Sequence, residues 1–108
     1  MLDSLAIKKD FIFFLKEKLG FNDNEIYINQ NIVLKNKDKT LIEKFLKQTE
    51  EGVPLDYILN SSKFYEYDFY VDSRVLIPRP ETEILVDYIN NHFLSPIKVL
   101  DAGTGSGC

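Results

Sequence analysis

The 108-residue sequence has no tryptophan, and it contains only one cysteine and one histidine. The single cysteine, Cys108, cannot form an internal disulfide or a cysteine-based metal site, which fits the reducing cytoplasm. Long apolar runs are also missing, and charged residues occupy positions 8–10, where a secretion signal would be apolar. We therefore expect a cytoplasmic protein that contains no metal and does not cross a membrane.

Basic residues are in the minority, with 13 Lys and Arg against 17 Asp and Glu and a net charge of -4. Proteins that bind nucleic acid mainly through its phosphates usually carry a basic excess, so we expect no direct nucleic-acid partner. Hydrophobic residues make up 44% of the sequence, including eight phenylalanines and six tyrosines. This content is enough to bury a core and excludes a disordered tail. We also expect a monomer.

Residues 1–60 follow a helical period. The first helix is predicted over Asp3–Leu19, with Asp3 or Ser4 as its N-cap and Gly20 after its end. We expect this segment and a later helix to share a core. The predicted core residues are Phe11, Phe14, Leu15, Leu41, Phe45 and Leu46.

Three further helices are predicted in this part. One opens at Asn22 or Asp23, one follows a polar connection and covers about 38–51 with Gly52 after its end, and a short one runs from Pro54 to Leu59. The apolar positions assigned to the first of these are Ile26, Ile28, Val33 and Leu34.

From residue 61 the pattern changes to aromatic and β-branched residues. It predicts a β-hairpin over 63–77, with Asp72–Ser73 as the turn between its two runs. Two prolines, Pro78 and Pro80, end this segment, and a helix is predicted over Glu81–Phe93. The apolar face of that helix consists of Ile84, Leu85, Tyr88 and Ile89.

A glycine-rich turn carries the chemistry. A short buried strand, predicted at Ile97–Leu100, leads into Asp101 and then into glycines at 103, 105 and 107. A dinucleotide-binding turn would need glycine at position 108, where Cys108 stands, and the Gly-Lys-Ser/Thr of a P-loop is absent. The strand, the acid and the glycines together resemble the nucleotide turn of class I S-adenosylmethionine methyltransferases; a merely flexible loop is the alternative.

A second string makes the resemblance more specific. Val75–Glu83, which reads VLIPRPETE, stands before the glycine turn, and this order resembles the HemK/PrmC-type release factor glutamine methyltransferases. Gly52–Ile58 and Phe64–Val71 are similar to two further elements of that family, although Glu66 stands where many members have glycine. Val99–Cys108 matches the family's first methyltransferase motif. The resemblance covers the chain from about residue 52 onward.

The resemblance implies a fold and a reaction. The fold is mainly α: a helical substrate-recognition domain at 1–61, a β-hairpin connector at 62–78, and at 79–108 the first helix and strand of a truncated, Rossmann-like α/β methyltransferase domain. The reaction transfers a methyl group from the cofactor S-adenosylmethionine to the glutamine amide nitrogen in the Gly-Gly-Gln loop of a peptide chain release factor. Cofactor-binding residues would be Asp101, Gly103, Thr104, Gly105, Ser106 and Gly107, with Arg79, Pro80 and Glu81 as further candidates.

The family's catalytic Asn-Pro-Pro-Tyr motif is absent, since none of the four prolines is adjacent to another. We therefore expect the front part of a longer enzyme, with no catalytic residue and no activity of its own. Because the strand at 97–100 has no partner strand here, we also expect residues 97–108 to be poorly packed. Two alternatives remain: a release-factor docking module without catalysis, and a related methyltransferase that acts on a ribosomal-protein glutamine or on DNA adenine.

Several single residues also have two interpretations. Arg79 either walls the cofactor pocket or stands exposed at a rigid corner. Glu81 and Glu83 either contact a ligand or favour the N-terminal end of a helix through its dipole. His92 is interpreted as a helix C-terminal residue and Cys108 as a small packing residue of a helix.

Overall fold

The structure, a computed structural model, describes residues 4–29 and 31–108. It divides into two compact units, Met1–Leu59 and Asn60–Cys108. Asp3, one of the two predicted N-caps, lies outside the described residues. Within the described residues, no helix is both long and apolar enough to cross a membrane.

The first unit is helical, as predicted. Its helices are α1 (Ser4–Leu19), α2 (Asp23–Tyr27), α3 (Asn36–Glu50) and α4 (Leu55–Leu59). Helix α4 packs against α1 and against α3.

Glycines end the two long helices. Gly20 has a φ of +71°, and its N–H donates to the Lys16 carbonyl at 3.1 Å. Gly52 has a φ of +76°; its N–H donates to Thr49 O and the following N–H, of Val53, donates to Gln48 O, both at 3.0 Å. This pair of bonds is a Schellman motif, which satisfies carbonyls left open at the end of α3. Both glycines lie where the sequence predicted them to.

The core of the first unit is built on Phe14, Phe45 and Leu59, each no more than 6% exposed. The ring of Phe45 lies 4.5 Å from that of Phe14 and 5.6 Å from that of Phe11. Half-buried apolar side chains surround these residues: Phe11, Leu15, Leu19, Leu41, Ile42, Leu55 and Ile58.

Leu46 is not a core residue, contrary to the prediction. It is 45% exposed, whereas Phe45 is 1% exposed. Successive residues of an α-helix lie about 100° apart around its axis, so the residue after a central core position points away from the core.

Helix α2 is shorter than the predicted helix. It begins where expected, because Asn22 and Glu25 form a reciprocal capping box with bonds of 2.9 and 3.0 Å. It ends at Tyr27, and the supposed apolar positions Ile28 and Val33 are 74% and 90% exposed. The segment that follows is rich in asparagine, whose side chains compete with helical hydrogen bonds. Helix α3 in turn begins at Asn36, two residues before the predicted start.

The second unit contains a two-stranded antiparallel sheet and one helix. Strands β1 (Ser62–Phe64) and β2 (Tyr67–Phe69) pair in the register Ser62↔Phe69, and helix α5 covers Thr82–His92. The hairpin turn is therefore Tyr65–Glu66, and the prediction that Asp72–Ser73 joins the two strands is wrong. Asp72 does form a turn, since its carboxylate accepts the Arg74 N–H at 3.0 Å, but no strand follows it.

Residues 97–100 do not form the predicted buried strand. Ile97, Val99 and Leu100 are 48%, 66% and 91% exposed and are not assigned to a strand. A strand exists only where a neighbour pairs with it, and β1 and β2 pair with each other. The apolar face predicted on α5 is present but largely uncovered: Ile84 is 68% and Leu85 is 57% exposed.

The packing of the first unit gives a test. Phe45→Ala removes a ring that is 1% exposed between two other rings, so the free energy of unfolding should fall by about 3–5 kcal/mol. The matched control is Leu46→Ala, on the neighbouring, 45% exposed position of the same helix, which should cost far less. Urea unfolding followed by helical circular dichroism measures both, and equal losses would contradict this packing.

Candidate functional site

The candidate site is an open cleft of about 200 Å³ within the second unit. Two separate stretches of sequence line it, one before and around the start of α5 and one in the glycine turn. The lining residues are Leu76, Ile77, Pro78, Arg79, Thr82, Asp101, Gly103, Thr104, Gly105, Ser106 and Cys108.

Positive φ angles shape the glycine side of the cleft. Gly103, Gly105 and Gly107 have φ values of +80°, +60° and +89°, which residues with a side chain rarely adopt. The Gly107 N–H donates to Thr104 O at 3.0 Å and closes the turn. A Cβ on Gly105 would lie 3.4 Å from Val75 Cγ2, so this glycine also brings the turn up to the opposite segment.

Ser106 presents an unusual group in this turn. Its hydroxyl oxygen is buried and has no hydrogen-bond partner among the described residues. A buried hydroxyl without a partner costs free energy, and a ligand in the cleft that hydrogen-bonds to it would remove that cost.

The opposite wall is an irregular segment that ends at the start of α5. The Thr82 N–H donates to Arg79 O at 3.0 Å, and the Glu83 N–H donates to Pro80 O at 3.1 Å. Before this wall, Arg74 forms a forked ion pair with Asp72, with its Nη2 2.6 Å from Oδ2. The Arg74 side chain lowers the pKa of Asp72 from 3.8 to about 2.

Tyr65 joins the hairpin to α5. Its N–H donates to the Glu83 carboxylate at 2.6 Å, and its hydroxyl lies 2.7 Å from the Glu83 carbonyl and 2.5 Å from the Asp87 carboxylate. The bond to Asp87 is the main reason why the pKa of Tyr65 rises to about 12. Tyr65 itself has a φ of +52°. We call these three hydrogen-bond contacts the Tyr65 contacts.

The structure brings together most of the residues that the sequence singled out. Asp101, the four residues at 103–106 and Arg79 line one cleft, and Arg79 is also exposed. Its role toward a cofactor stays a prediction. Gly107 shapes the turn without lining the cleft, and Pro80 and Glu81 do not line it.

Sequence reasoning missed five cleft residues: Leu76, Ile77, Pro78, Thr82 and Cys108. The first four belong to the VLIPRPETE string, so the string itself was the available signal for them. The role of Glu83 was also missed, since its carboxylate accepts a hydrogen bond from the hairpin.

His92 and Cys108 are not part of a group of metal ligands within the described residues. His92 ends α5 and its Nδ1 lies 2.9 Å from the Tyr88 carbonyl, as suits a helix C-terminal residue. Cys108 is half-buried and lines the cleft outside any helix, which differs from the predicted helix packing. Among residues 4–29 and 31–108, no three His, Cys, Asp or Glu side chains are grouped as metal ligands.

Comparison with known proteins identifies the family to which the chain is similar. No protein-family model matches the sequence. The release factor glutamine methyltransferase of Flavobacterium psychrophilum is 34% identical over 113 residues, which cover 100% of this chain and 40% of the relative. Over the matched residues, the chain belongs to the release factor glutamine methyltransferase family. The Streptococcus pneumoniae relative of the same name is 40% identical and matches 90% of this chain.

The chain spans only part of the length of these family members. It matches 35% of the Streptococcus pneumoniae protein and 33% of the relative from Chlorobaculum tepidum, which is 36% identical. The matched part of the family includes both walls of the cleft, because the Flavobacterium match covers the whole chain.

The Tyr65 contacts predict an altered titration. The hydrogen bond to Asp87 stabilises the protonated phenol, so the pKa of Tyr65 stands at about 12 against the ordinary 10.0. The stability that this bond gives to the folded protein is fully present at pH values below the pKa of the tyrosine in the unfolded chain. It is lost as the pH rises through the pKa of Tyr65 in the folded protein. Tyrosinate absorbance, with Tyr65→Phe subtracted, should show one tyrosine titrating near 12. Asp87→Asn should lower that pKa toward 10, and an unchanged value would refute the contact.

Proposed function

We propose that this chain forms the helical recognition module and the first cofactor-binding turn of an S-adenosylmethionine-dependent enzyme of the cytoplasm. The enzyme methylates the glutamine side chain in the Gly-Gly-Gln loop of a peptide chain release factor. One observation carries the proposal: the VLIPRPETE string and the glycine turn line a single cleft. The relatives at 34–40% identity carry this activity in their names.

The residues of the cleft fit part of the cofactor. Pockets that enclose a ligand of such size measure roughly 300–1,000 Å³, whereas this cleft measures about 200 Å³ and is open. The glycine turn offers main chain without side chains, the Ser106 hydroxyl lacks a partner, and Asp101 offers a carboxylate acceptor. These groups suit a ligand with hydrogen-bond donors and acceptors of its own. Together with the 76–82 segment opposite, the glycine turn gives the cleft two walls.

S-adenosylmethionine supplies a methyl group on a positively charged sulfur. The residues of this chain would hold and orient it: the glycine turn would admit the cofactor closely, the Asp101 carboxylate would accept a hydrogen bond from it, and Arg79 and Thr82 would limit the opposite side of the cleft. An amide nitrogen is a weak nucleophile, so the reaction depends on holding it in line with the methyl group. None of these 108 residues supplies the family's Asn-Pro-Pro-Tyr clamp for the amide. In the proposed enzyme, that clamp comes from other residues.

A second candidate function is docking without catalysis. The first unit is compact by itself, and every cleft residue belongs to the second unit. The first unit also carries nine of the eleven lysines of the chain, and these nine side chains are exposed. A surface of this kind suits contact with a protein substrate, and it would serve within the proposed enzyme as well as alone.

A chimera tests the proposed function directly. This chain replaces the matched segment of the Flavobacterium psychrophilum relative, and the product is incubated with labelled S-adenosylmethionine and a purified release factor. We expect methylation of the Gly-Gly-Gln glutamine. A chimera that unfolds cooperatively and binds the release factor, yet transfers no methyl group, would favour the docking function.

The glycine turn gives the matched variant. Gly105→Val in the chimera adds a side chain at a φ of +60°, with its Cβ 3.4 Å from Val75. The valine strains the turn and occupies the approach of the ligand, so calorimetry should detect no cofactor binding. Gly52→Val is the control, since Gly52 also has a positive φ but ends a helix in the first unit. Unchanged affinity in Gly105→Val would remove the turn from the site.

The 108 residues alone should show no methyl transfer. They provide two walls of an open cleft and no amide clamp, so neither cofactor nor glutamine is held for reaction. The same labelled assay, with the chimera as positive control, measures this. Methylation above background by the 108-residue chain would show that these residues form a complete site.

A further inference from the structure

Tyr65 connects two elements that are distant in sequence. Its three polar contacts reach Glu83 and Asp87, which are 18 and 22 residues further along the chain. Tyr65 lies in the hairpin turn, and both partners lie in the first two turns of α5. The contacts therefore close the intervening segment into a loop with a fixed base.

The closed loop contains one wall of the cleft. Residues 70–81 belong to no helix or strand, so hydrogen bonds rather than regular structure determine their path. The Asn60 side chain donates to Val71 O at 3.1 Å near one end, and Val71 is fully buried. At the other end, Thr82 lines the cleft and is the direct neighbour of Glu83.

The loop also contacts the glycine turn. Val75 Cγ2 lies 3.4 Å from the position that a Cβ of Gly105 would occupy. A displacement of the loop would therefore alter the space in front of Gly103–Ser106, where the unpartnered Ser106 hydroxyl lies.

We propose that Tyr65 is a positioning residue for the cleft, since its contacts with Glu83 and Asp87 hold the 70–81 loop against the glycine turn. The inference rests on the proposed function only in naming the ligand of the cleft. Tyr65 itself does not line the cleft. It acts through the loop that its contacts close.

Nuclear magnetic resonance on the 108-residue chain tests the positioning role without a ligand. Tyr65→Phe keeps the ring, which packs edge-on against Phe64, and removes both hydroxyl contacts. We expect the amide signals of Gly103, Gly105 and Ser106 to shift while those of the helical unit stay unchanged. Tyr67→Phe is the matched control, because Tyr67 is a 70% exposed tyrosine of the same hairpin. Glycine-turn signals that stay unchanged in a folded Tyr65→Phe protein would overturn the proposal.

A second pair of variants approaches the same contacts from α5. Glu83→Gln keeps an oxygen that accepts the Tyr65 N–H and should preserve the glycine-turn signals, whereas Glu83→Ala should shift them. Asp87→Ala combined with Tyr65→Phe should add little to Tyr65→Phe alone, because both changes remove the same hydrogen bond, from the Tyr65 hydroxyl to the Asp87 carboxylate. Fully additive shifts would show that the two residues act independently.

The chimera measures the consequence for binding. Tyr65→Phe should raise the dissociation constant of S-adenosylmethionine about fivefold, the effect of losing roughly one net hydrogen bond, while saturating cofactor restores the maximal rate. A lower maximal rate with unchanged affinity would contradict positioning of the cofactor wall. A chimera that binds no cofactor would overturn the proposed function, and the glycine-turn signals of the 108-residue chain would still decide the role of Tyr65.

Discussion

Loop closure is the constraint on which the second unit depends. Residues 70–81 have no regular structure, and a free segment of this kind would sample many paths. Hydrogen bonds at its two ends restrict it: the Tyr65 contacts at α5 and the Asn60 bond to Val71. With both ends held, residues 70–81 follow one path and form one wall of the cleft. The glycine turn can then be formed against that wall, even though the turn has few contacts of its own.

The two units are stabilised in different ways. The first buries Phe14, Phe45 and Leu59 together, and burial of such side chains contributes about 1.5–3 kcal/mol each. The second buries Phe64 and Val71 but leaves most of α5 uncovered. Its side-chain hydrogen bonds are mostly exposed to water, which competes for the same donors and acceptors, so the second unit should open more readily than the first. A ligand or an apolar neighbour would therefore stabilise mainly the part that contains the cleft.

Local signals in the sequence were sufficient for much of the fold. The periodic apolar positions around Phe14 and Phe45 predicted α1 and α3, and Gly20 and Gly52 predicted their ends, because these features act within one or two helical turns. The same logic failed at the hairpin. Asp72–Ser73 has the chemistry of a turn and does form one, but the strands pair around Tyr65–Glu66. Strand pairing is a relation between segments, and turn chemistry alone does not determine it.

The cleft shows a similar limit. The sequence predicted the glycine side from Asp101 and its glycines, and it predicted Arg79 on the other side from the VLIPRPETE string. Thr82 and Leu76 stand in the same string but were not predicted, because the sequence alone does not show which residues of an irregular segment face the cleft. The predicted strand at 97–100 depends on neighbours that these residues do not provide, so its apolar side chains are exposed.

The exposed apolar surfaces and the open cleft lie in the same short stretch of the chain. Ile84 and Leu85 come two and three residues after Thr82, which lines the cleft, and Val99 and Leu100 stand directly before Asp101. In the proposed enzyme, apolar partners that cover these side chains would lie beside both walls of the cleft. A neighbouring strand that pairs with 97–100 would fix the direction in which Asp101 and the glycine turn leave it. Completion of the sheet would then also complete the cofactor site, because a strand paired with 97–100 would lie beside the glycine turn.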